Sequence, residues 1–253
     1  MFPKSDNSHL VCECGRISKL PFSSAIKDYS FCSVSKIDIN YEASKLVDRP
    51  MGTYTSIFLG GFGNLCSDAV SEIVEKTACE LGLLCEKQIK DSKGKRILVV
   101  GLGNSQVTHD SLGARVCERL SPTENLYVFP VGVSGKSGIE SASIVKGIAE
   151  CAGAELVIAV DSLAARGEER VGRVIQLFDG GIAPGSGAGN SCAAIDKDAV
   201  GVPVVSIGVP TALAEAEIRE RGYLLVSDNV LELCDEAARI IADAMEICFS
   251  NQT

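Results

Sequence analysis

Residues 97–116 read ILVVGLGNSQVTHDSLGARV, and this stretch decides the fold. The run Arg96–Val100 has no alternation of polar and apolar side chains. It therefore reads as a strand buried on both faces. Gly101, Gly103 and Asn104 form its exit loop. A helix is predicted from Thr108 to Leu120, with Thr108 as a cap. A buried strand, a glycine turn and a helix make the repeating half of a parallel α/β unit.

The same rhythm extends outward. Residues 33–39 (SVSKIDI) alternate as a half-buried strand does, and Tyr54–Leu59 is the next strand. A helix follows from about Ser67 to Lys90, with Ser67 as cap and Val70, Ile73, Val74, Thr77, Ala78 and Leu81 on one face. Strands are predicted at 125–131, 155–160, Val171–Phe178 and Val202–Ile207, and helices at 137–151 and from Asn229 to about Phe249. The segment 180–190 holds five glycines and a proline, too many for a regular element. The fold class is α/β: a three-layer α/β/α arrangement around a mostly parallel central sheet. Residues 1–30, polar and serine-rich, read as a loose N-terminal arm, and 31–253 as a single domain.

Composition narrows the function. With 253 residues and 46% hydrophobic content, the chain can bury a large core, and its mean hydropathy is +0.20. Aromatics are 5% with no Trp, so Val, Ile, Leu and Ala must build that core. The net charge is −9, and the basic clusters Lys93–Arg96 and Arg166, Arg170, Arg173 are too sparse to track phosphates. This argues against direct nucleic-acid binding. No apolar run is long enough to span a membrane, and the polar start is unlike a signal peptide. The chain reads as cytoplasmic. Of 11 cysteines, Cys79, Cys117, Cys151 and Cys234 fall in apolar helical patterns and read as buried, reduced thiols. Cys12 and Cys14 with Cys32 lack the second close-spaced pair that a zinc site needs.

Two carboxylates stand beyond apolar runs: Asp110 after ILVVGLGNSQVTH and Asp161 after ELVIAV. In open α/β sheets, ligands gather beyond the carboxyl ends of the strands. The 180–190 loop and Gly208–Thr211 would join them at one edge. Two carboxylates held close cannot both ionise easily, so one can donate a proton while the other takes one from water. Asp161 abuts the more apolar run and is the expected acid. The same two residues would also serve as helix caps. Other chemistries fit less well. Gly101–Asn104 lacks the third glycine of a dinucleotide loop, and Ser186 has neither the G-x-S-x-G frame nor a base, since His9 and His109 are the sole histidines.

Taken in order, VVGLGNSQVTHDSLGARV, SGIESASIVKGI, LVIAVDSLAARGEERV, IQLFDGGIAPGSGAGN and GVPVVSIGVPTAL resemble the germination protease family of spore-forming bacteria. A weaker match runs through KIDINYEASKLVDRPMGTYTSIFL. The resemblance implies the fold of the hydrogenase-maturation endopeptidases. It also implies an endopeptidase, provisionally of aspartic type, that degrades small acid-soluble spore proteins in the forespore or spore core. It puts the two key aspartates at Asp110 and Asp161, and it implies a zymogen that is trimmed and forms a tetramer. Substrate-binding or supporting roles fall to Asn104, His109, Arg166, Asp179, Gly185, Ser186, Gly187 and Asn190. The glycine loop would offer N–H groups to the substrate, and Asp179 and Arg166 would order it. No cofactor is required, although a divalent metal held by His109, Asp110 and Asp161 is an alternative, as is a non-catalytic binding protein. The chain departs from the family's pattern at His109, where Pro is usual, at Gly172–Val174, at Ser191–Cys192 and in lacking the R-T-D-L-A opening.

Overall fold

In the computed structural model, strand β4 (Ile97–Leu102) is buried at every residue, as a sheet covered on both faces requires. The structure describes residues 23–47, 49–90, 94–184, 193–214 and 224–250. The other strands are β1 (Ser23–Asp28), β2 (Cys32–Ile39), β3 (Gly52–Leu59), β5 (Leu126–Gly132), β6 (Leu156–Ala165), β7 (Val174–Phe178), β8 (Val204–Leu213) and β9 (Leu225–Val226). The helices are α1 (Tyr41–Val47), α2 (Ser67–Gln88), α3 (Leu112–Arg119), α4 (Ser134–Ser137), α5 (Ser141–Ala152), α6 (Lys197–Val200) and α7 (Val230–Ser250).

Among the described residues the nine strands form one sheet in the order β1-β2-β3-β7-β8-β6-β4-β5, with β9 paired to β8. Helices α2, α3 and α7 cover one face; their Ile73, Leu81, Val116 and Ile241 meet Ile57, Val99, Ile158 and Ile207 of the strands. On the other face α5 and α6 meet Leu98, Val100, Val157 and Val204. There too α1 closes a smaller cluster with Ile37, Ile39, Tyr54 and Phe178. The α/β three-layer expectation is met. Each fully buried Leu, Ile or Val side chain stabilises by about 1.5–3 kcal/mol, so the two apolar layers hold the strand ends in fixed register.

The sheet is mixed, however, where the sequence suggested a mostly parallel one. Only β5/β4, β4/β6 and β6/β8 pair in parallel; β7 runs antiparallel to both β8 and β3. The cause is loop length. Just residues 166–173 separate β6 from β7, and a parallel crossover needs a dozen or more. The sequence also placed 23–30 in a loose arm. Residues 23–28 instead form the edge strand β1, paired antiparallel with β2 through a tight turn closed by Tyr29 N–H to the Cys32 carbonyl. From Ser24 to Asp28 its residues are exposed, with only Ala25 and Ile26 apolar, which hid it from a hydrophobic pattern.

Smaller differences follow from capping and burial. Cys66, not Ser67, precedes the first turn of α2, and it makes no side-chain cap bond. Thr108 opens a 3-10 turn, Thr108–Asp110, rather than capping α3. Cys117 and Cys234 are buried as expected, but Cys79 and Cys151 are exposed; all eight described cysteines are free thiols. Cys32 hydrogen-bonds Glu72, while Cys12 and Cys14 lie outside the described residues.

Candidate active site

Strand β6 loses its β4 neighbour just where Asp161 begins. The β4/β6 register runs from Ile97↔Leu156 to Gly101↔Val160 and stops, while β6 and β8 continue together to Ala165 and Leu213. Asp161 therefore lies within β6, not beyond it as the sequence suggested. The four residues after it are less apolar but still paired. The space vacated beside β6 is filled by the loop from Gly103 to Ser111, which carries Asp110.

Glycines make that approach possible. A Cβ on Gly113 would lie 2.4 Å from Leu102 N and 2.6 Å from the Val160 carbonyl, so only glycine lets the start of α3 rest on both strands. A Cβ on Gly103, at φ +89°, would lie 2.2 Å from the Asp110 carbonyl. Three anchors then fix the turn. Leu112 N–H donates to Ser162 Oγ at 3.3 Å, Thr211 Oγ1 donates to the His109 carbonyl, and Cys234 Sγ donates to the Thr108 carbonyl at 3.3 Å. The sequence passed over Ser162 and marked Cys234 only as a buried thiol. Both bonds span long sequence separations, which spacing does not reveal.

Neither aspartate caps a helix. Asp110 Oδ2 accepts the Asn104 N–H at 2.7 Å, across its own loop, and Asp161 Oδ1 accepts the adjacent Ser162 N–H at 2.9 Å within a strand. The two differ in environment. Asp161 is 5% exposed, and its pKa is pushed up to about 8, chiefly by burial and then by the negative charge of Asp110. Asp110 is half-buried. Burial raises its pKa above the ordinary carboxylate value, opposed by the Asn104 N–H and by His109. Near neutral pH the pair therefore holds one carboxyl that keeps its proton beside one readier to ionise, the arrangement that lets one group donate while the other accepts.

The remaining candidates divide. Asn104 and His109 lie in the same loop as Asp110. Arg166 is exposed and follows the last residue of β6, five residues along the chain from Asp161. Asp179 does not belong to this edge. Because β7 is antiparallel, Gln176 is level with Gly208 and Asp161, and Asp179 lies three residues further toward the amino end of β8. There its buried carboxylate accepts the Thr53 N–H at 2.7 Å and pairs with Lys87 at 2.6 Å, tying β7 to β3 and α2. Gly185, Ser186, Gly187 and Asn190 lie outside the described residues. The stem of their loop is described: Ile182 bridges Ile195, and Ser206 Oγ donates to the Gly181 carbonyl at 2.9 Å. Among the described residues no group of three His, Cys, Asp or Glu is placed to hold a metal ion, so His109, Asp110 and Asp161 do not form a ligand set.

A family model described as germination protease matches residues 23–225. The chain belongs to the germination protease family. The germination protease of Clostridium perfringens (strain SM101 / Type A) is 34% identical over 218 residues, covering 80% of this chain and 66% of the relative. That of Oceanobacillus iheyensis is 40% identical over 196 residues, covering 71% of this chain and 53% of the relative. The Bacillus subtilis (strain 168) germination protease is 36% identical over 202 residues, covering 74% and 55%. The chain thus matches between about half and two thirds of the length of these germination proteases. Among solved structures, a NiFe hydrogenase maturation protease from Thermococcus kodakarensis KOD1 aligns with a TM-score of 0.42 and 22% identity, over 64% of this chain and 99% of that one. No helix among the described residues is long and apolar enough to cross a membrane.

Proposed function

We propose that the chain is an endopeptidase acting in spore germination, and that Asp110 and Asp161 activate water against a peptide bond. The observation that carries this reading is the burial of the Asp161 carboxyl, 5% exposed, where desolvation and the charge of Asp110 push its pKa up to about 8. Family membership supports a protein substrate.

In this mechanism Asp110, oriented by the Asn104 N–H, takes a proton from water as the water oxygen bonds to the scissile carbonyl carbon. Asp161 gives its proton to the carbonyl oxygen, so the tetrahedral intermediate is neutral. In collapse the C–N bond breaks, the proton held by Asp110 passes to the departing nitrogen, and Asp161 recovers a proton from the intermediate's hydroxyl. The pair returns to its starting state without a further reactant.

The substrate in this proposal is a small acid-soluble spore protein, the site of action is the spore core, and the working assembly is a tetramer. For a metal-assisted variant, no group of three His, Cys, Asp or Glu among the described residues is placed as a ligand set. The test is to incubate the purified chain, Asp110→Asn and Asp161→Asn with a small acid-soluble spore protein, with and without chelator. Discrete fragments from the unmutated chain alone, unaffected by chelation, are expected. Fragments from either variant, or none from the unmutated chain, would overturn the proposal.

A further inference from the structure

Strand β8 carries one residue too many beside the Asp110 turn. Leu163 of β6 pairs with Pro210 and Ala164 with Ala212, so Thr211 faces no partner in β6. Such a bulge interrupts the ladder and re-aims a side chain, often next to an active site. The side chain it re-aims here is a buried polar one: Thr211 is 1% exposed. Val205, Ile207 and Val209 of β8 pack in the layer of α2, α3 and α7, and Thr211 follows two residues on. On that side the Thr108–Asp110 turn rests against α7 through the Cys234 thiol, and Thr211 Oγ1 donates to the His109 carbonyl.

That carbonyl belongs to the peptide unit that enters Asp110. The N–H of the same unit, from Asp110, donates to the Val107 carbonyl at 2.9 Å. A peptide unit is planar, so holding it at both ends fixes its plane. The plane limits where the Asp110 side chain can start, and the Asn104 N–H then orients the carboxylate from 2.7 Å. Two of these three bonds are made within the loop itself. Thr211 supplies the one that comes from the sheet, and so it sets this peptide unit relative to β6, which carries Asp161. Threonine suits the task, because its branched Cβ restricts the rotamers open to Oγ1.

We propose that Thr211 is a positioning residue for peptide-bond cleavage: through the His109 carbonyl it holds Asp110 in place to take the proton of the attacking water. This rests on the peptidase reading above. Thr211 itself acts on no reacting atom. A general base must lie within hydrogen-bond reach of the proton it takes, and a misplacement of about 1 Å can cost about a hundredfold. With the two bonds inside the loop kept, loss of the Thr211 bond is expected to cost about tenfold in kcat. The hydroxyl does not bind substrate, so KM should change less than about twofold.

The test compares the unmutated chain with Thr211→Ser, Thr211→Ala and Thr211→Val in steady-state cleavage of a small acid-soluble spore protein, with the thermal midpoint of each measured alongside. Ser and Ala are close in size and differ in the hydroxyl; Val keeps the shape of Thr without it. The Ser variant should keep kcat within about twofold, although it gives up a buried methyl and some stability. The Ala and Val variants should lose about tenfold in kcat with KM held. A packing role alone predicts the opposite order, with Val nearest the unmutated chain and Ser resembling Ala. If the Val variant does not fold, Ser against Ala decides. Equal kcat in Ser and Ala, a Val variant as active as the unmutated chain, or a loss carried by KM alone would overturn the inference while leaving the peptidase reading intact. Absence of any cleavage by the unmutated chain would instead overturn the peptidase reading, and this inference with it.

Discussion

Replacing Asp161 with Asn removes a buried group whose ionisation opposes folding, so the variant should lose cleavage and gain stability. In an unfolded chain an aspartate ionises near pH 3.9; in the fold Asp161 does so at about 8. Between those values the unfolded chain has released this proton and the folded chain keeps it. The native state binds more protons, so stability falls as pH rises, by about 1.4 kcal/mol per pH unit from roughly 4 to 8, and levels off above. From this group alone, the loss relative to the fully protonated state is about 1–2 kcal/mol at pH 5 and about 4 kcal/mol at pH 7. Asn is uncharged throughout, matches the shape, and can still accept the Ser162 N–H through Oδ1. Urea unfolding of both proteins at pH 5, 6, 7 and 8 reads the difference directly, because groups titrating alike in both cancel. The stability of Asp161→Asn minus that of the unmutated chain should grow by about 2–3 kcal/mol between pH 5 and 7. A difference flat across that range would mean that Asp161 ionises like an exposed carboxylate, and the acid role assigned to it would fail.

Two other substitutions probe the scaffold. Gly113→Ala drives a methyl to within 2.4 Å of backbone atoms of β4, and should cost about 2–4 kcal/mol by chemical denaturation and abolish cleavage by displacing the Asp110 loop. Lys87→Met leaves the buried Asp179 carboxylate with only its Thr53 N–H; since half of the Lys87 side chain is solvent-exposed, the cost should be about 1–2 kcal/mol, with cleavage unchanged because the pair lies at the far end of the sheet. Activity lost in parallel with Lys87 would return Asp179 to the site.

What the sequence made legible was local. The unbroken apolar runs of β4 and β6 and the helical face of α2 from Val70 to Leu81 are visible because burial dictates composition over a few consecutive residues. Asp110 and Asp161 could be named for the same reason, as polar residues ending those runs. Their shared edge also depends on Gly101 and Gly113, whose role appears only when the start of α3 meets β4. The direction of β7 was misjudged although its eight-residue connection to β6 excluded a parallel crossover, and that error carried Asp179 to the wrong end of the sheet. Strand β1 escaped notice because an edge strand with both faces wet has no alternation to read.

The central claim is a carboxyl pair that works with one proton, and the pH dependence of kcat/KM for spore-protein cleavage tests it most directly. The account predicts a bell. Cleavage should fall on the alkaline side as Asp161 loses its proton near pH 8, and on the acid side as Asp110 gains one somewhat above the ordinary carboxylate range. A rate that holds level through pH 8 and beyond, or one whose acid limb persists unchanged in Asp110→Asn, would contradict it.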